Sequence, residues 1–175
     1  MLSGCTPVLN RELMREGAHN VPLSQIKDHP DANQGKLFIF GGVIVDTRGT
    51  DKGSQIEALY VPVSKSGYLK GLEQYEGRFL ALYPRTSGML DPIIYKKGRE
   101  ITLAGTFTGN RQGKIDEMEY RYPVFEIKQI YLWEERRDYS MMPAYPYYYN
   151  YPYPYPFGWY DPWWQPFPPP PPRWR

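Results

Sequence analysis

The chain is predicted to be all-β: a small five-stranded OB-like Greek-key barrel followed by a disordered Tyr/Pro/Trp-rich C-terminal tail. Three observations lead there. Five β-patterned segments are separated by turn residues. The most apolar of them carries adjacent glycines, as small barrels need where a strand turns a corner. A single helical turn is expected between the third and fourth segments, as in a five-stranded Greek-key barrel.

The first strand is predicted over Lys36–Thr47. Its two faces, Leu37, Ile39, Gly41, Val43, Val45 and Phe38, Phe40, Gly42, Ile44, are both apolar, so both should be covered. Asp46–Ser54 reads as a hairpin loop and Gln55–Val63 as the second strand, with Pro62 hinting at an edge or bulge. Arg78–Tyr83 is the third. Between it and the next, Asp91 should cap one helical turn with Pro92 at its first position. In Arg99–Thr108 the alternation places Ile101, Leu103, Gly105 and Phe107 inside, with Glu100, Thr102, Thr106 and Thr108 outside. A Gly109–Gly113 turn should lead into the last strand system, Ile115–Trp133. Its inward set slips from Phe125 and Ile127 to Ile130 and Leu132, which predicts a bulge near Lys128.

Upstream, Thr6–Asn20 is polar and of mixed charge, and reads as a tether. Val21–Ile26 suits a helical turn with Pro22 at its first position, ended by turn residues over His29–Gly35. The expected organisation is therefore a leader segment over 1–20, a barrel domain over 21–135 and a tail over 136–175.

Composition narrows the function. A net charge of +2 implies no strong field for nucleic acid or anionic lipid. A single cysteine excludes an internal disulfide and a multi-cysteine metal site. His19 and His29 lack the paired spacing of a zinc site. Asp116, Glu117 and Glu119 show no calcium-loop pattern. Ser64, Ser66 and Ser87 lack nucleophile-elbow glycines. No catalysis, metal or cofactor is expected, apart from a covalent lipid.

That lipid would sit on Cys5. Leu2-Ser3-Gly4-Cys5 resembles a bacterial lipobox, in which the thiol accepts a diacylglyceryl group and small neighbours admit the peptidase. One acyl chain gives only marginal membrane binding, whereas two or three hold a protein stably. Thr6 stands where an aspartate commonly retains such proteins in the inner membrane, so by resemblance the destination is the outer membrane. Only Met1 precedes Leu2. A truncated precursor, a misassigned start and a chance match all account for that.

The tail is built of tyrosine, proline and tryptophan. Its proline density favours polyproline II over helix or ladder. Aromatic faces on a stiff backbone stack well on sugars, rings and cations. Tyr147, Tyr149, Tyr151, Tyr153, Tyr155, Trp159, Trp163, Trp164 and Trp174 form the candidate interaction surface, toward an envelope glycan or protein.

Gly41-Gly42-Val43-Ile44, Gly77-Arg78-Phe79-Leu80, Leu90-Asp91-Pro92, Tyr95 with Gly98-Arg99, Gly105 and Gly113-Lys114-Ile115 form a pattern. With Glu119-Tyr120-Arg121-Tyr122-Pro123-Val124 and Leu132-Trp133, it resembles the Slp (starvation-inducible) outer-membrane lipoprotein family over about Val21–Trp133. The resemblance implies a non-enzymatic, lipid-anchored envelope protein facing the periplasm and partnered by the outer membrane through its acyl chains, with no nucleic acid. The alternative is a soluble OB-type binding module for oligonucleotide or oligosaccharide, motivated by the tail and the basic turn Tyr95–Arg99.

Overall fold

A computed structural model describes residues 7–71 and 76–135. Its centre is strand β2, Leu37–Thr50, followed by β3, Gly53–Val61, and β4, Arg78–Pro84. Two long strands complete the set: β5, Glu100–Ile115, and β6, Met118–Leu132. The hydrogen-bonded order is β2-β3-β4-β6-β5, and β5 returns to β2, so the sheet closes into a five-stranded barrel. All neighbours are antiparallel except β4 and β6, which run parallel. This closed Greek-key order is that of the OB fold, as expected.

The two faces of β2 go to different cores. Phe38, Phe40 and Ile44 enter the barrel with Ile56, Tyr60, Phe79, Ile101, Leu103, Phe107 and Phe125. Phe40 is the hub, with ring centroids 4.7 Å from Phe125, 4.9 Å from Phe79 and 5.3 Å from Tyr60. Such pairs contribute about 0.5–1.5 kcal/mol each beyond their buried area. Ile39 points outward and is nonetheless buried, against Leu9, Met14, Val63 and Ala104.

That second core corrects the expected tether. Residues 11–16 form helix α1, Arg11–Glu16, whose N-cap Asn10 accepts from the Glu12 amide at 2.8 Å. Strand β1, Ala18–His19, then pairs in parallel with β2 through Ala18↔Phe38 and His19↔Ile39. The apolar stripe Leu9, Leu13, Met14 is short and flanked by Arg11, Glu12, Arg15 and Glu16, so its charges mask it in the sequence. The same layer explains Thr102. It faces out of the barrel as expected, yet it is fully buried and donates to the Gly67 carbonyl at 2.9 Å.

The adjoining segments are also more helical than their residues suggest. Helix α2 spans Leu23–Asp28, with Pro22 as its N-cap instead of its first residue. It sends Leu23 and Ile26 into the barrel core. The expected turn over His29–Gly35 contains helix α3, Pro30–Asn33, with Pro30 in its first turn. At the other end of the barrel Leu90 is buried, and its amide donates to Ser54 Oγ at 2.9 Å. The following turn is capped as expected: Asp91 accepts from the Ile93 amide through its side chain and from the Tyr95 amide through its carbonyl, each at 2.8 Å.

Two irregularities fix the long hairpin. Ala104 pairs with Gln129 and Gly105 with Ile127, leaving Lys128 as the extra residue of the predicted bulge. A second shift falls between Phe107 and Gly109, with Thr108 as the extra residue, and Gly109, at φ +127°, is paired within the ladder and is not part of a turn. The strand runs on through Asn110–Ile115, paired with Pro123–Met118, and the chain reverses at Asp116 with φ +53°. The expected Gly109–Gly113 turn is thus replaced by a hairpin arm that extends past the barrel. Similarly, β2 runs to Thr50, and β3 begins at Gly53 and ends at Val61, ahead of Pro62.

The parallel seam is short: Leu80↔Val124, Ala81↔Phe125 and Leu82↔Glu126. Beyond it, one side chain stands in for the ladder. The Tyr120 hydroxyl accepts from the Arg78 amide at 3.0 Å and donates to the Arg78 carbonyl at 3.2 Å.

Tyr60 gives the fold a pH dependence. Its hydroxyl donates to the Val21 carbonyl at 2.8 Å, tying the segment before α2 to the barrel. Burial, and secondarily the charge of Glu76, push its pKa well above 10.0. The folded chain therefore keeps a proton that the unfolded chain releases once pH passes about 10. The stabilisation is complete below that pH and is lost as pH rises toward the folded-state value. Thermal melts from pH 8 to 11 should show a falling midpoint, and Tyr60→Phe should flatten that fall. At neutral pH the same variant should be less stable by about 1 kcal/mol, from the lost hydrogen bond.

Candidate functional site

The two hairpin arms bracket a groove of about 430 Å³ on the side of the barrel. Arg48 and Thr50 come from the β2–β3 arm, Gln55 and Glu57 from β3, Leu80 from β4, and Arg111–Lys114 with Tyr122 from the β5–β6 arm. The wall is built by alternation: Leu80, Tyr122 and Val124 form a small buried cluster outside the barrel, while polar residues rise around it. Glu57 is fixed at the base, accepting from Arg78 Nη1 at 2.8 Å and from the Tyr122 hydroxyl at 3.1 Å. Glu57 holds the Arg78 guanidinium above its ordinary pKa, chiefly through that hydrogen bond. The Tyr122 phenol is pushed up by burial first and by Glu57 second. One carboxylate is thus neutralised by a partly buried arginine.

Three further cations stand on the rim. Arg111 Nη1 donates to Gln55 Oε1 at 2.8 Å. Arg48 lies 3.6 Å from Asp46, with both side chains more than half exposed, so that pair leaves the guanidinium available. Lys114 stands directly across from Glu119 in the ladder. The groove accordingly presents guanidinium and ammonium donors over a small apolar and aromatic floor, a surface for anionic or hydroxyl-rich ligands.

The opposite end of β5 and β6 carries a second distinctive surface. The Trp133 ring lies between Tyr68 and Tyr131, with centroids at 5.4 and 4.9 Å. Its indole N–H donates to Thr102 Oγ1 at 3.0 Å. The basic turn Tyr95–Arg99 adjoins it. Arg99 is committed to backbone, donating to the carbonyls of Trp133 at 2.6 Å and Ile94 at 3.3 Å. Lys96 pairs with Glu135 at 2.6 Å and holds that carboxyl below its ordinary pKa, chiefly through the hydrogen bond. The turn is therefore a structural corner with only part of its charge on offer.

The other residues singled out in the sequence are dispersed. His19 Nε2 donates to the Met14 carbonyl at 2.7 Å in the outer core. The His29 carbonyl accepts from the Asn33 side chain at 2.9 Å, joining α2 to α3. Ser64 Oγ accepts from the amides of Ser66 and Tyr68, making a local turn. The Ser87 carbonyl accepts from Tyr83 at 3.1 Å. Asp116 sits at the β5–β6 reversal, and Glu117 and Glu119 flank the start of β6. Leu2, Ser3, Gly4 and Cys5 lie outside the described residues, as do Tyr147, Tyr149, Tyr151, Tyr153, Tyr155, Trp159, Trp163, Trp164 and Trp174. The groove itself was missed in the sequence. Its residues are spread over four strands, and the one usable signal, polar Arg111–Lys114 continuing the β5 alternation, reads as a turn because of its glycines.

Comparison with known proteins places these features in a family. A protein of Haemophilus influenzae described as uncharacterized is 34% identical over 99 residues, 56% of this chain and 52% of its own length. The Escherichia coli lipoprotein YeaY, also described as uncharacterized, is 27% identical over 82% of this chain and 72% of its own length. The E. coli outer membrane protein Slp is 26% identical over 63% of this chain and 57% of its own length. The chain thus spans about half the length of the first of these relatives. Among solved structures, similarity extends to Schizosaccharomyces pombe Pot1pC bound to single-stranded DNA. It has a TM-score of 0.33 at 13% identity and covers 60% of this chain and 84% of that one. The mitochondrial single-stranded DNA binding protein Rim1 of Saccharomyces cerevisiae has a TM-score of 0.31 at 11% identity, covering 57% and 95%. Residues 2–164 match the family described as Outer membrane lipoprotein Slp family. The protein therefore belongs to the Slp family of outer membrane lipoproteins.

Proposed function

We propose that this outer membrane lipoprotein is non-catalytic, is held by acyl chains on Cys5 with its barrel facing the periplasm, and serves as a structural or interaction component of the cell envelope. The observation that carries this reading is the reach of the family match. It begins at Leu2 and so takes in the whole Leu2-Ser3-Gly4-Cys5 box. Local geometry supports the non-catalytic part: the His19 ring donates to a backbone carbonyl in the outer core, and the Ser64 hydroxyl accepts from two amides of its own turn. Within the same reading, the aromatic tail is an interaction arm toward envelope glycan or protein, for which tyrosine and tryptophan faces are suited.

The groove favours one addition, that the barrel itself binds an anionic oligosaccharide. Arg48, Arg111 and Lys114 surround a wall whose Glu57 is already paired. Guanidinium and ammonium groups over an aromatic floor match sulfate, phosphate or carboxylate on a sugar ring.

Three measurements test these statements. Cys5→Ser in the precursor with its leader should abolish acylation, seen by mass, and recovery with outer membranes. An unmodified Cys5 in the wild-type mature protein would overturn the anchor. Ending the unacylated chain at Asp138 should remove most of its co-sedimentation with isolated envelopes, and equal co-sedimentation would make the tail a passive extension. Finally, Arg111→Ala with Lys114→Ala should weaken binding to a sulfated glycan such as heparin by about tenfold or more, the scale of a lost charged hydrogen bond. Unchanged affinity would remove the groove from consideration.

A further inference from the structure

The distance between the acylation site and the folded body decides which face of the barrel meets the membrane. This inference rests on the acylation of Cys5 proposed above. Val8 is already fixed to the barrel: its amide donates to the Ser66 carbonyl at 3.0 Å, and Val8 packs against the outer core. Only Thr6 and Pro7 lie between Cys5 and Val8, so a fully extended chain spans at most about 11 Å between them. Whatever surface surrounds Val8 is thereby held within about one helix diameter of the lipid.

A chain of hydrogen bonds and ring contacts leads from there to exposed aromatic and apolar groups. Next to Ser66, the Gly67 carbonyl accepts from Thr102 Oγ1, which in turn accepts from the Trp133 indole. The Trp133 ring contacts Tyr68 and Tyr131, which are 49% and 40% exposed. The Trp133 carbonyl is bonded by Arg99, whose other nitrogen is bonded to the Ile94 carbonyl. The path thus ends at Ile93 and Ile94, 82% and 52% exposed on a turn that the Asp91 cap holds rigid. Two bare isoleucines on a capped turn are unusual in water-facing surface. Lys65 and Lys70, which flank Tyr68 in the sequence, and Lys97, which follows the turn, are exposed. Aromatic rings at headgroup level, apolar side chains below them and lysines reaching sideways are the arrangement found at membrane interfaces.

We propose that the face bearing Tyr68, Tyr131 and Trp133 lies against the bilayer surface, with Ile93 and Ile94 inserted at its headgroup–acyl boundary. The tip of the β5–β6 arm, which carries the Arg111–Lys114 wall of the groove, then stands off from the membrane. From Thr102 to Arg111 the path along β5 is nine residues, roughly 30 Å at the rise of a strand.

The test uses the acylated full chain in vesicles of phosphatidylethanolamine with a minor share of phosphatidylglycerol. With Cys5 blocked by its lipid, Ile93→Cys and Met118→Cys each offer one free thiol for an environment-sensitive fluorophore, Met118 being exposed at the tip of the β5–β6 arm. Melting curves of the unlabelled variants verify the fold. At position 93 emission should shift to the blue on reconstitution and be quenched several-fold more by headgroup nitroxides than at position 118. Protein that co-sediments but shows equal quenching at 93 and 118 overturns the assigned face and leaves the anchor standing. Protein that fails to co-sediment, with an unmodified Cys5 by mass, overturns both. Ile93→Glu with Ile94→Glu gives a second readout. Amides 91–97, protected from hydrogen exchange on vesicles in the wild type, should lose that protection in the double variant, and retained protection would overturn the insertion.

Discussion

The architecture depends on one strand being paired along both edges. Over Gly41, Gly42 and Val43, β2 is bonded to β3 and β5 at once, through Val61, Tyr60, Leu59 on one side and Thr102, Ile101, Glu100 on the other. Closing a five-stranded sheet at this point demands strong local coiling, which side chains obstruct. A Cβ at Gly42 would lie 2.9 Å from the Leu59 carbonyl oxygen and 3.0 Å from the Phe79 ring, and one at Gly41 would run into Leu69. The glycine pair is thus the space into which the neighbouring strand and the outer loop fit. Given that closure, Phe40 reaches the barrel axis and Ile39 reaches the outer layer.

The parts of the fold legible in the sequence are those where a residue pattern has one physical reading. Two apolar faces on β2 demanded cover on both sides, and received it from different cores. The slip between Ile127 and Ile130 admitted only an extra residue, and Lys128 is that residue. What stayed hidden was of two kinds. The apolar stripe of α1 is one turn long and surrounded by charge, so no period emerges from it. Gly109 and Gly113 carry the composition of a turn, while the ladder from Asn110 to Ile115 is set by partners on β6 that local composition does not encode. The groove inherits that second failure, because its cations become neighbours only once both arms are known to project.

The long β5–β6 hairpin has two chemically distinct ends. At one, Trp133 and its neighbours are joined to the outer layer through Thr102 and Gly67; at the other, Arg111 and Lys114 line open space. Under the proposed acylation of Cys5, a body tethered three residues upstream of its first fixed point would have little freedom to tumble. The Trp133 end would then be held near the lipid and the tip of the arm would stand off from it.

The parallel contact between β4 and β6 has a separate consequence. Fourteen residue pairs join β5 to β6, but only three close the barrel between β4 and β6. Beyond those three, the Tyr120 hydroxyl alone occupies both the amide and the carbonyl of Arg78. The seam therefore carries the fewest ladder pairs of any closure in the barrel. A transient loss of the phenol and three ladder pairs would uncover two raw strand edges, the kind of edge that recruits a strand from another chain.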